Sequence, residues 1–235
     1  MSILEEQATE PGFCLRHPFP SLADGIRSYY GGTQRLLARP YVQKAGCGVI
    51  CAANILLYLG RYAEGCGEGP FAELAKQDPV PAADFGRCCD SLQRRYMPVL
   101  PRFGLTGFQL TWGFNRYCRR YHIPYRMRWQ LRNKGFWENI RAMLEDDIPV
   151  TLAIGPNFPV FWGRHKLRFH VWRQERFLPA TATKAHFVTI TGMDEEWLRI
   201  SSWGKEYFIS RREYNDYVKG HSAYLVSNIG LVRRV

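Results

Sequence analysis

Residues 41–60, YVQKAGCGVICAANILLYLG, limit what this chain can fold into more than any other stretch. The stretch is expected to open with a loop that puts Cys47 between Gly46 and Gly48, and about a dozen mostly apolar residues follow. Val49, Ile50, Ala52, Ala53, Ile55, Leu56, Leu57 and Leu59 leave Asn54 as the one polar interruption. A helix that is apolar all round is a buried helix. The stretch therefore predicts a helix through the middle of a domain, with Cys47 at its N-terminus. Free N–H groups and the positive end of the macrodipole favour an anion there, so a thiol in that place tends to ionise below its free pKa of about 8.5. Glycines on both sides allow a substrate close to the backbone. These are the requirements of a nucleophilic cysteine. The alternative is a small buried cysteine in a glycine-containing turn.

At 235 residues the chain is long enough for one domain with a sizeable core. We expect one domain over 1–235, with an irregular N-terminal segment at 1–40 and a helical and loop insertion at 61–135. Lys and Arg exceed Asp and Glu by 11, which suits a solvated basic surface or acidic partners. The seven cysteines are an odd number, and the polar, acidic start MSILEEQATE shows no signal peptide. No apolar run approaches the ~20 residues of a membrane span. The expected setting is the cytoplasm, with mostly free thiols. Cys14 and His17 lie close in sequence but have no second pair at ligand spacing. Cys66, Cys88 and Cys89 lack the C-x₂-C spacing of structural zinc sites. Neither a metal nor a cofactor is implied.

Downstream, short helices are expected near 71–77 and 85–95, and an amphipathic helix over 108–123 with Arg119 and Arg120 near its end. PYRMRWQL alternates like a strand, Trp137 to Leu144 repeat at helical spacing, and VTLAIG reads as a buried strand. Residues 155–184 mix Phe, Trp, Arg and His without a steady period, apart from a possible strand LRFHVW. They read as a cleft wall or lid, or as an irregular loop over the core; His165 and His170 read as structural or surface residues. AHFVTITGM, WLRISSW and YFIS follow as strands. SRREYNDYVKG reads as a helix capped by Ser210 and closed by Gly220, and 223–230 as a last strand.

His186 opens a strand far downstream of Cys47, and LRISSWG returns beside it carrying Ser201, Ser202 and Trp203. A histidine at a strand start can lie beside a thiol on a facing helix, taking its proton and later protonating a leaving group. With QKAGCGVICAANILLYL, AHFVTITGMD and ISSWGKEYFI in that order, the chain resembles the papain-like cysteine peptidases. It looks closest to the bacterial branch that processes bacteriocin leaders at double-glycine sites. The pattern at 136–154, ending DDIPVTLAIG, fits the same branch. The resemblance covers about residues 41–60 and 136–210.

It implies an α+β papain-like fold in which a buried central helix bearing Cys47 packs on an antiparallel sheet bearing His186. Cys47 would be the nucleophile and His186 the general acid/base. Gln43 and the Cys47 backbone N–H would form the oxyanion hole. Trp203 would shield the bond that orients the histidine ring, with Gly46 and Gly48 beside the substrate. Two positions depart from the family pattern: Ser201 stands where the family has an orienting Asn, with Asp194 a possible substitute, and Gln43 lies closer to the cysteine than usual, with Tyr41 at the more usual place. Cys51, one turn after Cys47, reads as a core residue; a redox pair with Cys47 is the minor alternative. The implied reaction is acyl transfer through a thioester on a peptide or protein substrate. The rival is a non-catalytic peptide- or nucleic-acid-binding protein on the same fold, using 155–184; nucleic acid is not the expected partner.

Overall fold

The apolar stretch forms helix α2, Cys47–Tyr62, and every residue from Gly48 to Leu59 is buried. The computed structural model describes residues 12–235; the acidic start of the chain lies outside the described residues. Ahead of α2 come three short strands, β1 (Phe13–Cys14), β2 (Ser21–Ala23) and β3 (Ser28–Tyr30), a 3₁₀ turn at Gln34–Leu36 and helix α1 (Pro40–Ala45). The loop expected directly before Cys47 is instead α1, capped by Gly46, and the segment expected to be irregular therefore has structure. Its strands are two or three residues long, too short for a period to show in sequence.

Residues 63–135 supply α3 (Pro70–Ala75), β4 (Val80–Pro81), α4 (Ala82–Arg95), α5 (Gly107–Arg120) and β5 (Tyr125–Trp129). Helix α5 begins in a capping box: Gln109 N–H donates to Thr106 Oγ1 at 3.2 Å, and Thr106 N–H to Gln109 Oε1 at 2.9 Å. Helices α1, α3, α4 and α5 all pack on α2, so these residues build the helical half of the core.

The rest of the chain adds α6 (Phe136–Glu145), β6 (Val150–Ile154), β7 (Leu167–Arg173), β8 (Arg176–Thr183), β9 (His186–Met193), β10 (Trp197–Ser202), β11 (Lys205–Ser210), α7 (Arg211–His221) and β12 (Ile229–Arg234). The main sheet runs β5-β12-β6-β9-β10-β11-β7-β8, with β1 pairing the far end of β9. All its pairings are antiparallel. A small second sheet, β3-β2-β4, adjoins it, Tyr30 N–H at the end of β3 donating to Gly204 O at 2.9 Å. Strand β9 is buried along nearly its whole length because α2 and α6 both pack on it. The fold is thus a mixed α+β arrangement in which a buried helix carrying Cys47 packs on a sheet carrying His186.

Three expectations change. The possible strand LRFHVW is β7, but the residues after it, expected without a steady period, complete a hairpin with it as β8, with a register shift between Phe169 and His170; Gln174 and Glu175 make its two-residue turn with φ of 51° and 57°. Such turns ordinarily announce themselves with Asn-Gly or Asp-Gly, and here that signal is missing. Helix α7 runs through Gly220 and ends at Ser222, whose N–H donates to Val218 O. The last strand is 229–234, because 223–227 form a turn in which Ser227 and Val226 N–H donate to Ala223 O.

Candidate active site

Cys47 is the first residue of α2, and the cap before it, Gly46, offers no side chain to the free N–H groups. Backbone N–H groups of Phe187, Gly48 and Cys47 itself point at the thiol and favour its anion. His186 is the first residue of β9 and is paired with Ile154. The two side chains line one crevice with Gln34, Cys51, Asn54, Thr189, Ser201, Ser202 and Trp203. No direct hydrogen bond joins them. The crevice is tight, about 10 Å³, on the order of one water.

The ring of His186 is held from two sides. Its Nε2 lies 2.9 Å from Ser202 Oγ, and Trp203 stacks on it at 4.5 Å with 19° between the planes. Trp203 is held there by its backbone. It and Gly204 form the two-residue turn between β10 and β11 with φ of 52° and 73°, the primed geometry that matches strand twist. A bulky residue at positive φ costs roughly 1–2 kcal/mol. Contacts of the indole with His186 and Phe169 oppose that cost, and strain of this kind tends to collect at functional sites.

Several residues picked out in the sequence lie elsewhere than expected. Ser201 lines the crevice, but its hydroxyl donates to Tyr30 O at 2.6 Å and fastens the end of β3 to β10; alternation along the strand turns Ser202 toward the ring instead. Asp194 is at the opposite end of β9 from His186, where its Oδ1 accepts from Glu196 and Trp197 N–H. Gln43 spends its amide on Leu37 O at 2.6 Å and is not in the crevice. Gly46 and Gly48 face the protein itself. A Cβ on Gly46 would lie 2.6 Å from Val42 O, and one on Gly48 would be 3.3 Å from Leu105, Leu110 and Phe187 side chains. Their small size serves packing of α1, α5 and β9 around the head of α2.

Gln34 carries no sequence signal, because it precedes Cys47 by a whole helix. It lines the crevice, and its side-chain amide makes no hydrogen bond among the described residues. What places it is Asn54, the lone polar residue of the central helix. Asn54 Oδ1 accepts from Gly32 N–H at 2.8 Å and its Nδ2 donates to Thr189 Oγ1 at 3.2 Å. One buried amide thereby ties the loop before Gln34 to α2 and to β9. Asn54→Leu should destabilise the fold by about 1–3 kcal/mol, since it strands the buried Gly32 N–H. Urea unfolding measures this; a change within about 0.5 kcal/mol, the range of an ordinary surface substitution, would refute it.

The electrostatics differ from the sequence expectation. Burial pushes the Cys47 thiol up from its ordinary value, against the three backbone N–H groups. Burial also pushes His186 down to about 4. Both shifts favour thiol and neutral imidazole over thiolate and imidazolium in the resting pair. Cys51 is a core residue. Its thiol donates to Val188 O at 3.1 Å, Thr189 Oγ1 donates to it at 3.3 Å, and burial raises it to about 11.

No known family model, curated protein or solved structure matches this chain. Among the described residues no group of three His, Cys, Asp or Glu is placed to hold a metal ion. His17, considered with Cys14, instead bonds Asp147 Oδ2 through Nδ1 at 2.6 Å. The arrangement can offer a thiol, a proton acceptor held in orientation and backbone N–H groups for a developing anion.

Proposed function

We propose that the chain is a papain-like thiol hydrolase, a peptidase or amidase that works through a Cys47 thioester. The observation that carries this reading is the shared crevice: a helix-start cysteine and a strand-start histidine line it together, with the ring held by Ser202 and Trp203. His186 takes the thiol proton as Cys47 Sγ attacks the carbonyl carbon, so the charged pair arises during reaction and not before it. In the tautomer whose Nε2–H donates to Ser202 Oγ, Nδ1 is left as the base. The oxyanion accepts from the Cys47 backbone N–H and from the Gln34 amide, in place of Gln43. The carbon–nitrogen bond then breaks, and His186 gives its proton to the leaving amine. Water, deprotonated by the same ring, cleaves the thioester and restores the thiol. A peptide or protein is the substrate class.

Incubation with an activated ester, read as acylated peptides by mass spectrometry, tests the reading, with the other six cysteines as controls. Cys47 should acylate and turn over, and Cys47→Ala should do neither. An inert Cys47 in the folded protein would leave the binding-protein reading in its place. Gln34→Ala should slow acylation by about 10²–10³-fold, whereas Gln43→Ala should leave it nearly unchanged. The reverse order would return the oxyanion role to Gln43.

A further inference from the structure

Residues 157–163, NFPVFWG, leave β6 beside the His186 strand and put four large apolar side chains into solvent. Phe158 is 47 % exposed, Val160 46 %, Phe161 60 % and Trp162 82 %. The backbone beneath them is well tied. Phe158 N–H donates to His221 O at 3.0 Å, Gly163 N–H to Val160 O at 2.8 Å, and Lys184 Nζ to Gly163 O. Asn157, buried at the base, donates to His165 O at 3.1 Å and to Tyr217 Oη at 3.3 Å. The aromatic side chains are therefore presented by a fixed loop, and none of them lines the Cys47 crevice. Leu225, 55 % exposed, lies in the neighbouring turn, which is bound to the loop base through Ser222 Oγ to Pro156 O and Gly155 N–H to Ser227 Oγ.

Charge points to one kind of occupant. From Ile148 to Gln174 there is no Asp or Glu. Arg164 and Lys166, just past the loop, are exposed and in no ion pair among the described residues. Phe and Trp at a tip with cations at its base suit the boundary between acyl chains and anionic headgroups. A spanning helix is not needed; no helix among the described residues is long and apolar enough to cross a membrane.

We propose that residues 157–163 are a docking loop for an anionic bilayer surface, Phe161 and Trp162 entering the interface while Arg164 and Lys166 meet the headgroups. The loop base joins the His186 strand through Ala185 N–H to Gly155 O, so docking would hold the Cys47 crevice close to the membrane. The inference does not depend on the chemistry of Cys47.

The test is co-sedimentation of the full chain with vesicles of phosphatidylcholine alone or mixed with phosphatidylglycerol. The protein should bind the mixed vesicles. The double variant Phe161→Ser with Trp162→Ser should lose about tenfold or more, while keeping its circular dichroism spectrum. Arg164→Glu with Lys166→Glu should remove the preference for phosphatidylglycerol. Absence of binding by the unaltered protein would overturn the proposal. So would binding that the aromatic variant retains, which would assign it to charge alone. Self-association in ultracentrifugation without vesicles, abolished by the aromatic variant, would assign the loop to a second copy of the chain and overturn it too.

Discussion

Acylation of Cys47 by an activated ester should fall by about 10²–10⁴-fold in His186→Gln, the usual contribution of a positioned general base. Glutamine keeps much of the volume under Trp203 and can still reach Ser202, but it cannot accept the thiol proton. The pH profile separates this from simple loss of structure. In the unaltered protein the acid limb should fall near pH 4, where His186 charges, because burial pushes the imidazole down to about 4. A preformed thiolate–imidazolium pair would instead put simple alkylation of Cys47 on a plateau below pH 7. Here alkylation should keep climbing with pH, because burial raises the thiol. A fast plateau below neutrality would show that the ion pair exists at rest, and an undiminished rate in His186→Gln would remove the histidine from the reaction.

Stability should drop as pH falls from about 6.5 to 4, and His186 is the cause. The unfolded histidine binds a proton near 6.5, whereas the buried one resists until about 4. Between those values the unfolded state holds more protons, so acid favours unfolding. The side chain is almost wholly enclosed, and the loss should be on the order of 3 kcal/mol. A second loss should follow below about 3.8. Burial raises the Asp147 carboxyl, but hydrogen bonds from Tyr58, His17 and the Arg16 N–H outweigh it and hold the pKa below the ordinary 3.8. That contribution is present above the ordinary value and disappears as the carboxylate protonates. Urea unfolding at pH 7, 5.5, 4 and 2.5 measures both; His186→Gln should flatten the curve between pH 7 and 4 and leave the part below pH 4. An equal slope in the variant would mean that another group carries it.

Long apolar periodicity was the most legible part of the molecule. The buried helix at 47–62, α5, α6 and the strands carrying His186 and Ser202 each run far enough for their pattern to outweigh local propensity. The Cys47 and His186 neighbourhoods could be read because each sits at the first residue of such an element. The second tier of the site could not. Ser202 differs from Ser201 only by which face of β10 it occupies, and a one-residue choice of face is settled by register, here with β9 and β11. Gln34 and Asn54 matter through a contact between a 3₁₀ turn, a helix and a strand, and no spacing rule encodes a contact of three elements. The resting charge of the Cys47–His186 pair is hidden for a related reason. A helix terminus is visible in sequence, but the depth at which it is buried is not, and here burial is the larger effect.

The knot around Asn54 also bears on how the molecule comes into being. Gly32, Asn54 and Thr189 join through a single amide, and Ser201 clasps Tyr30 from the far end of the chain. During synthesis Cys47 emerges long before His186, so the nascent thiol has no base beside it and no crevice around it. Only when the β9–β10 ribbon closes over the early segment are Cys47, His186 and Gln34 gathered around one crevice. A chain cut before β9 would carry Cys47 with no crevice around it, so the site is a property of the closed fold and not of the central helix alone.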